Sequence, residues 1–326
     1  MRIKTIAMIG AGNVGAYIVR GFAKKLQEGG IDGLWIIAEG ARKERLEREG
    51  LVINGESYML DVRTPEEAAG ADLIIVGVKY QALREILPGV RTIAEPHTVV
   101  MSLMNGVDSE EILAEAVPKE QIVPANIKFV ADRTGNAVMI QPTMPGMGIH
   151  YGAAKGMPGG EAGTDAAGGR ASAEAILDAL DELFDGADLE ATREEDILAT
   201  IWAKYAFNIC ENLPQAIVDV GVGCYEDSAH MAEIRTTLWN EVRMVAAAEG
   251  IDIPPETKHI TSVQFPKQAI YSTLQDLRAG RQTEVEMFAG VLMRRAASHG
   301  LSVPCAETIY HLLCALEEKN DGKFEY

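Results

Sequence analysis

The stretch Met8-Ile9-Gly10-Ala11-Gly12-Asn13-Val14-Gly15-Ala16-Tyr17 decides how this chain is read. Before it, Thr5-Ile6-Ala7-Met8-Ile9 is almost continuously apolar and predicts a buried strand. After it, Val14 to Lys25 carries a helical pattern. Gly10, Gly12 and Gly15 therefore sit in a strand-to-helix turn with G-x-G-x-x-G spacing. Gly10 permits the tight turn, Gly12 lets backbone approach a pyrophosphate, and Gly15 allows close helix packing. Asn13 and Val14 open the helix, where N–H groups and the helix dipole favour phosphate. Glycines kept for packing alone, or a methyl-donor site of the S-adenosylmethionine type, are the competing readings. The position between an apolar strand and a helix favours a dinucleotide.

Working outward, the first half alternates short apolar runs with helical segments. Leu34 to Ile37, Asp72 to Val76 and Thr98 to Leu103 read as strands, and Ala41 to Glu49 as an exposed helix. Asn54-Gly55 signals a small hairpin. This alternation predicts an α/β domain with a parallel sheet covered on both faces. The Gly- and Ala-rich run from Ala153 to Gly169 reads as a surface loop. Beyond it, helical patterns dominate: Glu194 to Asn212, His230 to Gly250, Pro266 to Gly280, Thr283 to Gly300 and Pro304 to Glu318. The expected architecture is a Rossmann-type dinucleotide-binding domain over residues 1–192, followed by an all-helical domain over 193–326.

Composition narrows the function. The 326 residues carry 48 acids against 30 bases, a net charge of −18, which repels nucleic acid on average. Cys210, Cys224, Cys305 and Cys314 form no C-x-x-C pair, so no zinc or other metal site is expected. Scattered thiols suit a reducing cytoplasm. The apolar run after Met1-Arg2-Ile3-Lys4 is too short for a secretory signal, and no run approaches the roughly 20 apolar residues of a membrane span. A cytoplasmic protein without nucleic-acid or membrane partners is expected.

Cofactor choice falls to the end of the second strand. Glu39 is placed to accept hydrogen bonds from the ribose 2′-OH of NAD, and its charge repels the 2′-phosphate of NADP. Arg42 and Lys43 are near enough to rescue NADP, or else form a solvated first helical turn. The lean is to NAD. Lys79 and Gln81 in Val78-Lys79-Tyr80-Gln81, and Asn105 in Asn105-Gly106-Val107-Asp108, follow two further strands. Open α/β sheets place ligands at such carboxyl ends.

In the helical half, Lys204, Asn208 and Asn212 recur at i, i+4 and i+8, within about 80° on one helix face. Trp202, Phe207 and Ile209 mark that segment as largely buried, and a buried ammonium needs partners. Farther on, Thr283 and Glu286 fit a capping box, leaving Glu284 in the first helical turn without a capping duty.

Taken together, GAGNVG, VKYQAL, MNGVDSEE, AKYAFNICENLPQA and STLQDLRAGRQTEVE followed by RRAASHGLSVP resemble, in order, the ketopantoate reductase (2-dehydropantoate 2-reductase) family. The resemblance covers nearly the whole chain. It implies that the glycine turn holds the cofactor pyrophosphate and that Lys79 holds the cofactor near ribose and nicotinamide. It places Asn105 between cofactor and substrate, makes Lys204 the general acid, and assigns Asn208, Asn212, Ser272 and Glu284 to binding or orienting substrate. Hydride delivered to a 2-keto carbon creates negative charge on oxygen, and a nearby ammonium stabilises that charge and then supplies the proton. The implied reaction is reduction of ketopantoate to (R)-pantoate with NAD(P)H. Two features depart from the family pattern: Glu39 stands where most relatives have Arg and use NADPH, and the loop from Ala153 is long. An NAD-dependent reductase of another branched or aromatic 2-keto acid is the alternative, and a non-catalytic NAD(H) sensor a lesser one. Met287, Phe288 and Leu292 suit either a core or a homodimer interface.

Overall fold

The computed structural model describes residues 1–142, 144–153, 172–255 and 266–324, in two compact units, Met1–Ile197 and Leu198–Tyr326. Beyond Ala153, the Gly- and Ala-rich run lies outside the described residues.

The described residues of unit 1 contain thirteen strands. The first eight are β1 (Thr5–Ile9), β2 (Gly33–Ile37), β3 (Leu51–Ile53), β4 (Glu56–Tyr58), β5 (Asp61–Arg63), β6 (Leu73–Val76), β7 (Val99–Ser102) and β8 (Ile122–Val123). They are followed by β9 (Ala125–Lys128), β10 (Ala131–Thr134), β11 (Ala137–Ile140), β12 (Gly148–Tyr151) and β13 (Ala191–Arg193). Its helices are α1 (Asn13–Gln27), α2 (Gly40–Glu49), α3 (Leu87–Ile93), α4 (Ser109–Leu113) and α5 (Ala173–Phe184).

Six strands form a parallel sheet in the order β5-β2-β1-β6-β7-β8. The order reverses between β1 and β6, and a crevice opens at the carboxyl ends of strands at such a switch. The apolar runs are continuous because both faces are covered. Ile6 and Met8 enter one core with Ile18, Phe22 and Leu180, while Ala7 and Ile9 enter the other with Val90 and Leu113. Asn54 and Gly55, at φ 50° and 86°, make the two-residue β3–β4 turn that their sequence signals. A third sheet, β13-β12-β9, includes Thr192 and Arg193, and the Glu194 N–H donates to Tyr151 O at 2.8 Å. This stitching carries unit 1 past the 192/193 boundary expected from sequence, to Ile197.

One carboxylate ties the start of β1 to β6. Asp72 Oδ2 accepts from Lys4 N at 2.8 Å, Thr5 N at 2.9 Å and Thr5 Oγ1 at 3.0 Å. Asp72→Ala leaves two part-buried backbone donors unmatched and is expected to cost about 2–3 kcal/mol. A lowered denaturant midpoint checks this; an unchanged midpoint rejects it.

Unit 2 has no strand among the described residues. Its helices are α6 (Ile197–Phe207), α7 (Leu213–Val218), α8 (Cys224–Asp227), α9 (Ala229–Ala248), α10 (Ser272–Arg278), α11 (Val291–Ser298) and α12 (Pro304–Asn320). α6 does not stop at Asn212. It passes through a π-helical turn, Asn208–Asn212, into α7. Pro214 lacks an N–H, and the Tyr225 hydroxyl enters the ladder next to it. That hydroxyl donates to Glu211 O at 2.5 Å and accepts from Gln215 N at 3.1 Å.

Three helix starts differ from the sequence expectation, the first being the one expected at Glu194: its N–H is bonded to Tyr151 O and α6 begins at Ile197. Helix begins at Ser272 rather than Pro266, because residues 267–271 are held by side-chain and loop bonds. Gln215, fully buried, donates to Ala269 O at 3.1 Å and accepts from Tyr271 N at 2.9 Å. Thr283 caps without a reciprocal Glu286. Its Oγ1 accepts from Val285 N at 3.2 Å, and its own N and Oγ1 both donate to Glu317 at 2.7 Å. Glu286 instead pairs with Arg294 and accepts from Tyr310 Oη at 2.9 Å.

Candidate active site

In unit 1 the carboxyl ends of β1, β2, β6 and β7 gather the expected residues. Gly10 has φ +117°, and a Cβ there would lie 2.3 Å from Gly77 O at the end of β6. A Cβ on Gly15 would lie 2.2 Å from Gly10 O. Both glycines are needed so that strand, turn and α1 can touch. Gly12 differs: a Cβ there meets nothing within 4 Å. It is the N-cap of α1 and supplies no side-chain cap, so it leaves the first N–H groups of the helix uncapped by its own side chain. Val14 packs against Gly77, and Asn13 donates from Nδ2 to Ala131 O at 3.3 Å while its buried Oδ1 has no partner. An uncapped helix start, an open glycine and an orphaned buried amide oxygen fit the phosphates and ribose of a dinucleotide.

Arg133, on the β10–β11 hairpin, was not singled out in the sequence. Its Nη1 donates to Ala11 O at 2.6 Å and its Nε to Gly135 O at 2.8 Å, clamping the glycine turn. Burial, and then the like charges of Arg42 and Arg45, lower this guanidinium from its ordinary value. Glu39 is exposed just after β2, as N-cap of α2 without a side-chain capping bond. Arg42 lines one groove with Arg45 and Arg48. Lys43 is committed elsewhere, to Glu67, whose other bond is from Thr64 N at 2.8 Å.

Lys79 and Gln81 are exposed in the 3₁₀ turn after β6, and Asn105 is half-buried in the turn after β7 with Gly106 at φ +94°. Tyr80 Oη donates to Asp108 Oδ2 at 2.6 Å and joins these two loops. Hence Gly10, Gly12, Asn13, Val14, Gly15, Glu39, Lys79, Gln81 and Asn105 all lie along one edge of the sheet.

In unit 2, Lys204 is half-buried on α6 beside Trp202 and Tyr205, which are 3% and 1% exposed. Asn208 and Asn212 are buried, and Asn212 Nδ2 approaches Asn208 Oδ1 at 3.5 Å while Asn212 Oδ1 has no partner. A π turn rotates less per residue than the roughly 100° of an α-helix, so Asn212 is brought back in line with Lys204 rather than carried past it. Such insertions are frequent at functional sites. Ser272 is exposed at the first position of α10. Glu284 is half-buried just ahead of a second π turn, Glu286–Gly290, in which Phe288 O accepts from Tyr205 Oη at 2.5 Å.

The supports of these groups carried no sequence motif. Glu211, buried inside the first π turn, accepts from Tyr271 Oη at 2.7 Å and lies 3.8 Å from Arg235. Tyr271 also stacks edge-on with Phe207 at 5.6 Å. Glu211 thereby fixes the residue immediately before Ser272. Burial first, and the Glu211 charge next, push the Tyr271 hydroxyl well up, so it stays protonated as a donor.

The ketopantoate reductase PanE/ApbA model matches residues 6–153, and the ketopantoate reductase PanE/ApbA C-terminal model matches residues 196–317. The chain belongs to the ketopantoate reductase family. It is accordingly an oxidoreductase of the kind that acts on CH–OH groups. The 2-dehydropantoate 2-reductase of Archaeoglobus fulgidus is 28% identical over 97% of this chain and 99% of its own. An uncharacterized oxidoreductase, YkpB, of Bacillus subtilis is 25% identical over 93% and 95%. Among solved structures, D-mandelate dehydrogenase with NADH and anilino(oxo)acetate shares the fold, with a TM-score of 0.80 and 23% identity over 97% and 99% of the chains. Among the described residues no helix is long and apolar enough to cross a membrane, and no His, Cys, Asp and Glu group is arranged to hold a metal.

Proposed function

We propose that this member of the ketopantoate reductase family reduces ketopantoate to (R)-pantoate with NAD(P)H, with Lys204 as general acid. The observation that carries the reading is the π turn. It aligns two buried asparagines with a half-buried lysine and leaves one asparagine oxygen unsatisfied. A nicotinamide dinucleotide, when bound, supplies the hydride. The Gly10–Gly15 turn, with Asn13 and Val14, holds its phosphates, and Lys79, Gln81 and Asn105 hold and orient the half that lies toward β6 and β7. Lys204 stabilises the charge developing on the former carbonyl oxygen and gives it a proton. Asn208, Asn212 and Ser272 donate to substrate oxygens, and Glu284 orients Lys204 or a substrate hydroxyl. Loss of reduced-nicotinamide absorbance with ketopantoate, matched against loss with branched and aromatic 2-keto acids, tests this. Faster turnover of another 2-keto acid would move the substrate while keeping the chemistry. D-mandelate dehydrogenase, with the same fold, is the reason to include aromatic acids. Cofactor binding without any turnover would make the chain an NAD(H) sensor.

For the cofactor, an exposed carboxylate at Glu39 favours NAD, and with Lys43 engaged by Glu67 only Arg42 and its neighbours oppose it. The convergence of Arg42, Arg45 and Arg133 is what favours NADP. Glu39→Arg is expected to shift the NADPH/NADH ratio of kcat/KM at least about tenfold toward NADPH, one reshaped charge contact. An unmoved ratio would mean that Glu39 does not face the ribose. A cytoplasmic homodimer is the proposed setting; a solved Staphylococcus aureus ketopantoate reductase of this fold is dimeric.

A further inference from the structure

Side chains alternate along β9. Ala125 and Ile127 enter the apolar core with Tyr17 and Tyr151, so Asn126 and Lys128 occupy the opposite face. The antiparallel register sets His150 directly across from Asn126 on that face. Both His150 nitrogens are already engaged, Nδ1 with Glu194 Oε1 at 2.6 Å and Nε2 with Gly146 O at 3.1 Å. Asn126 is 2% exposed, yet neither its Oδ1 nor its Nδ2 has a hydrogen-bond partner. A buried amide with both groups unmade destabilises the fold, and natural structures rarely keep one without a use.

Lys128 lies two residues along, half-buried, with no ion pair among the described residues. Glu194 acts on it electrostatically, but the Glu194 carboxylate is bonded to His150, and burial lowers the ammonium from its ordinary value. The place in the fold matters as well. β8 pairs with β7, Pro124 interrupts the ladder, and β9 pairs instead with β12 while staying close to β7, the strand that delivers Asn105.

We propose that Asn126 and Lys128 form a substrate subsite on unit 1, in which Lys128 Nζ and Asn126 Nδ2 take the carboxylate of the 2-keto acid and Asn126 Oδ1 accepts from a hydroxyl on the same molecule. This rests on the reductase reading above and names its substrate class: a hydroxylated 2-keto acid. The donor count supports it. A carboxylate offers acceptors to the two N–H donors but no donor to Oδ1, and on a 2-keto acid a hydroxyl is the group that supplies one. An acid without that hydroxyl leaves the buried oxygen unpaired, and sites built to bond a hydroxyl strongly reject such analogues.

The test compares ketopantoate with 3,3-dimethyl-2-oxobutanoate, which lacks only the hydroxyl, and measures pantoate binding by calorimetry. The wild type is expected to favour ketopantoate in kcat/KM by about 10²-fold or more. Asn126→Leu removes that preference, with its melting temperature unchanged or raised because an unmade buried amide is replaced by an apolar side chain. Lys128→Met raises KM for both acids, and weakens pantoate, by about 10–100-fold, the loss of one charged hydrogen bond, with kcat within a few-fold. Both variants keep wild-type NAD(P)H affinity. Loss of NAD(P)H affinity would place Asn126 on the nicotinamide amide and overturn the subsite. Unchanged KM and unchanged acid preference in both variants, with an active wild type, would overturn the subsite alone. A wild type that reduces neither acid and does not bind pantoate would overturn the function and the subsite together.

Discussion

Replacing Lys204 with alanine is expected to lower kcat by about 10²–10⁴-fold, the range for loss of a positioned general acid. Cofactor affinity should stay near wild type, because the glycine turn, Arg133 and Glu39 all belong to unit 1 and Lys204 to unit 2. Stability should change little, since alanine is the strongest helix former and Lys204 is a half-buried position within α6. KM should rise less than kcat falls. The ammonium meets its strongest demand when the carbonyl oxygen acquires charge, and an interaction of that kind appears in kcat. Partial rescue of Lys204→Ala by an added small alkylamine would identify the missing function as proton donation and charge stabilisation. An unchanged kcat would remove Lys204 from the mechanism.

The parallel sheet was legible because its strands are buried on both faces. Ile6 to Met8 and Leu73 to Val76 read as uninterrupted apolar runs, and the glycine turn between β1 and α1 carries its own spacing. The helical half was legible as helix and less so as geometry. Lys204, Asn208 and Asn212 show a simple i+4 repeat in the sequence, but the π turn that aligns them depends on Tyr225, thirteen residues beyond Asn212, reaching into the ladder between Glu211 and Gln215. No local pattern encodes that insertion. Pro214 gives a hint of it, since a proline within a helical run frees a carbonyl. Thr283 and Glu286 show the converse: the capping-box spacing is present, yet Glu317 on α12 takes the Thr283 donors and Arg294 with Tyr310 takes Glu286. Long-range partners overrode the short-range signal in both places. Asn126 was invisible for a similar reason. In the sequence it is one polar residue in an apolar run, and only the register against His150 and its lack of any partner mark it.

The three glycines of the turn should separate by mechanism when each is replaced with alanine. Gly10→Ala places a methyl 2.3 Å from Gly77 O and demands φ +117° of an L-residue, so the β1–β6 junction must shift. Gly15→Ala drives its methyl to 2.2 Å from Gly10 O and pushes α1 off the turn. Each is expected to destabilise unit 1 by more than about 3 kcal/mol, combining backbone strain with steric overlap in a packed core. Gly12→Ala meets no protein atom within 4 Å, and its φ of −86° suits any residue, so the melting temperature should be unchanged. Its methyl nevertheless occupies the space in front of the α1 N-terminus. NAD(P)H affinity is therefore expected to fall at least about tenfold, some 1.4 kcal/mol, in a protein that folds normally. Fluorescence titration of the reduced dinucleotide against Gly12→Ala, beside thermal unfolding of all three variants, distinguishes these outcomes. Wild-type affinity in Gly12→Ala would mean that the phosphates do not approach the backbone at Gly12. Normal folding of Gly10→Ala would mean that the turn can leave Gly77 without loss, and the close strand contact would then not be what selects glycine there.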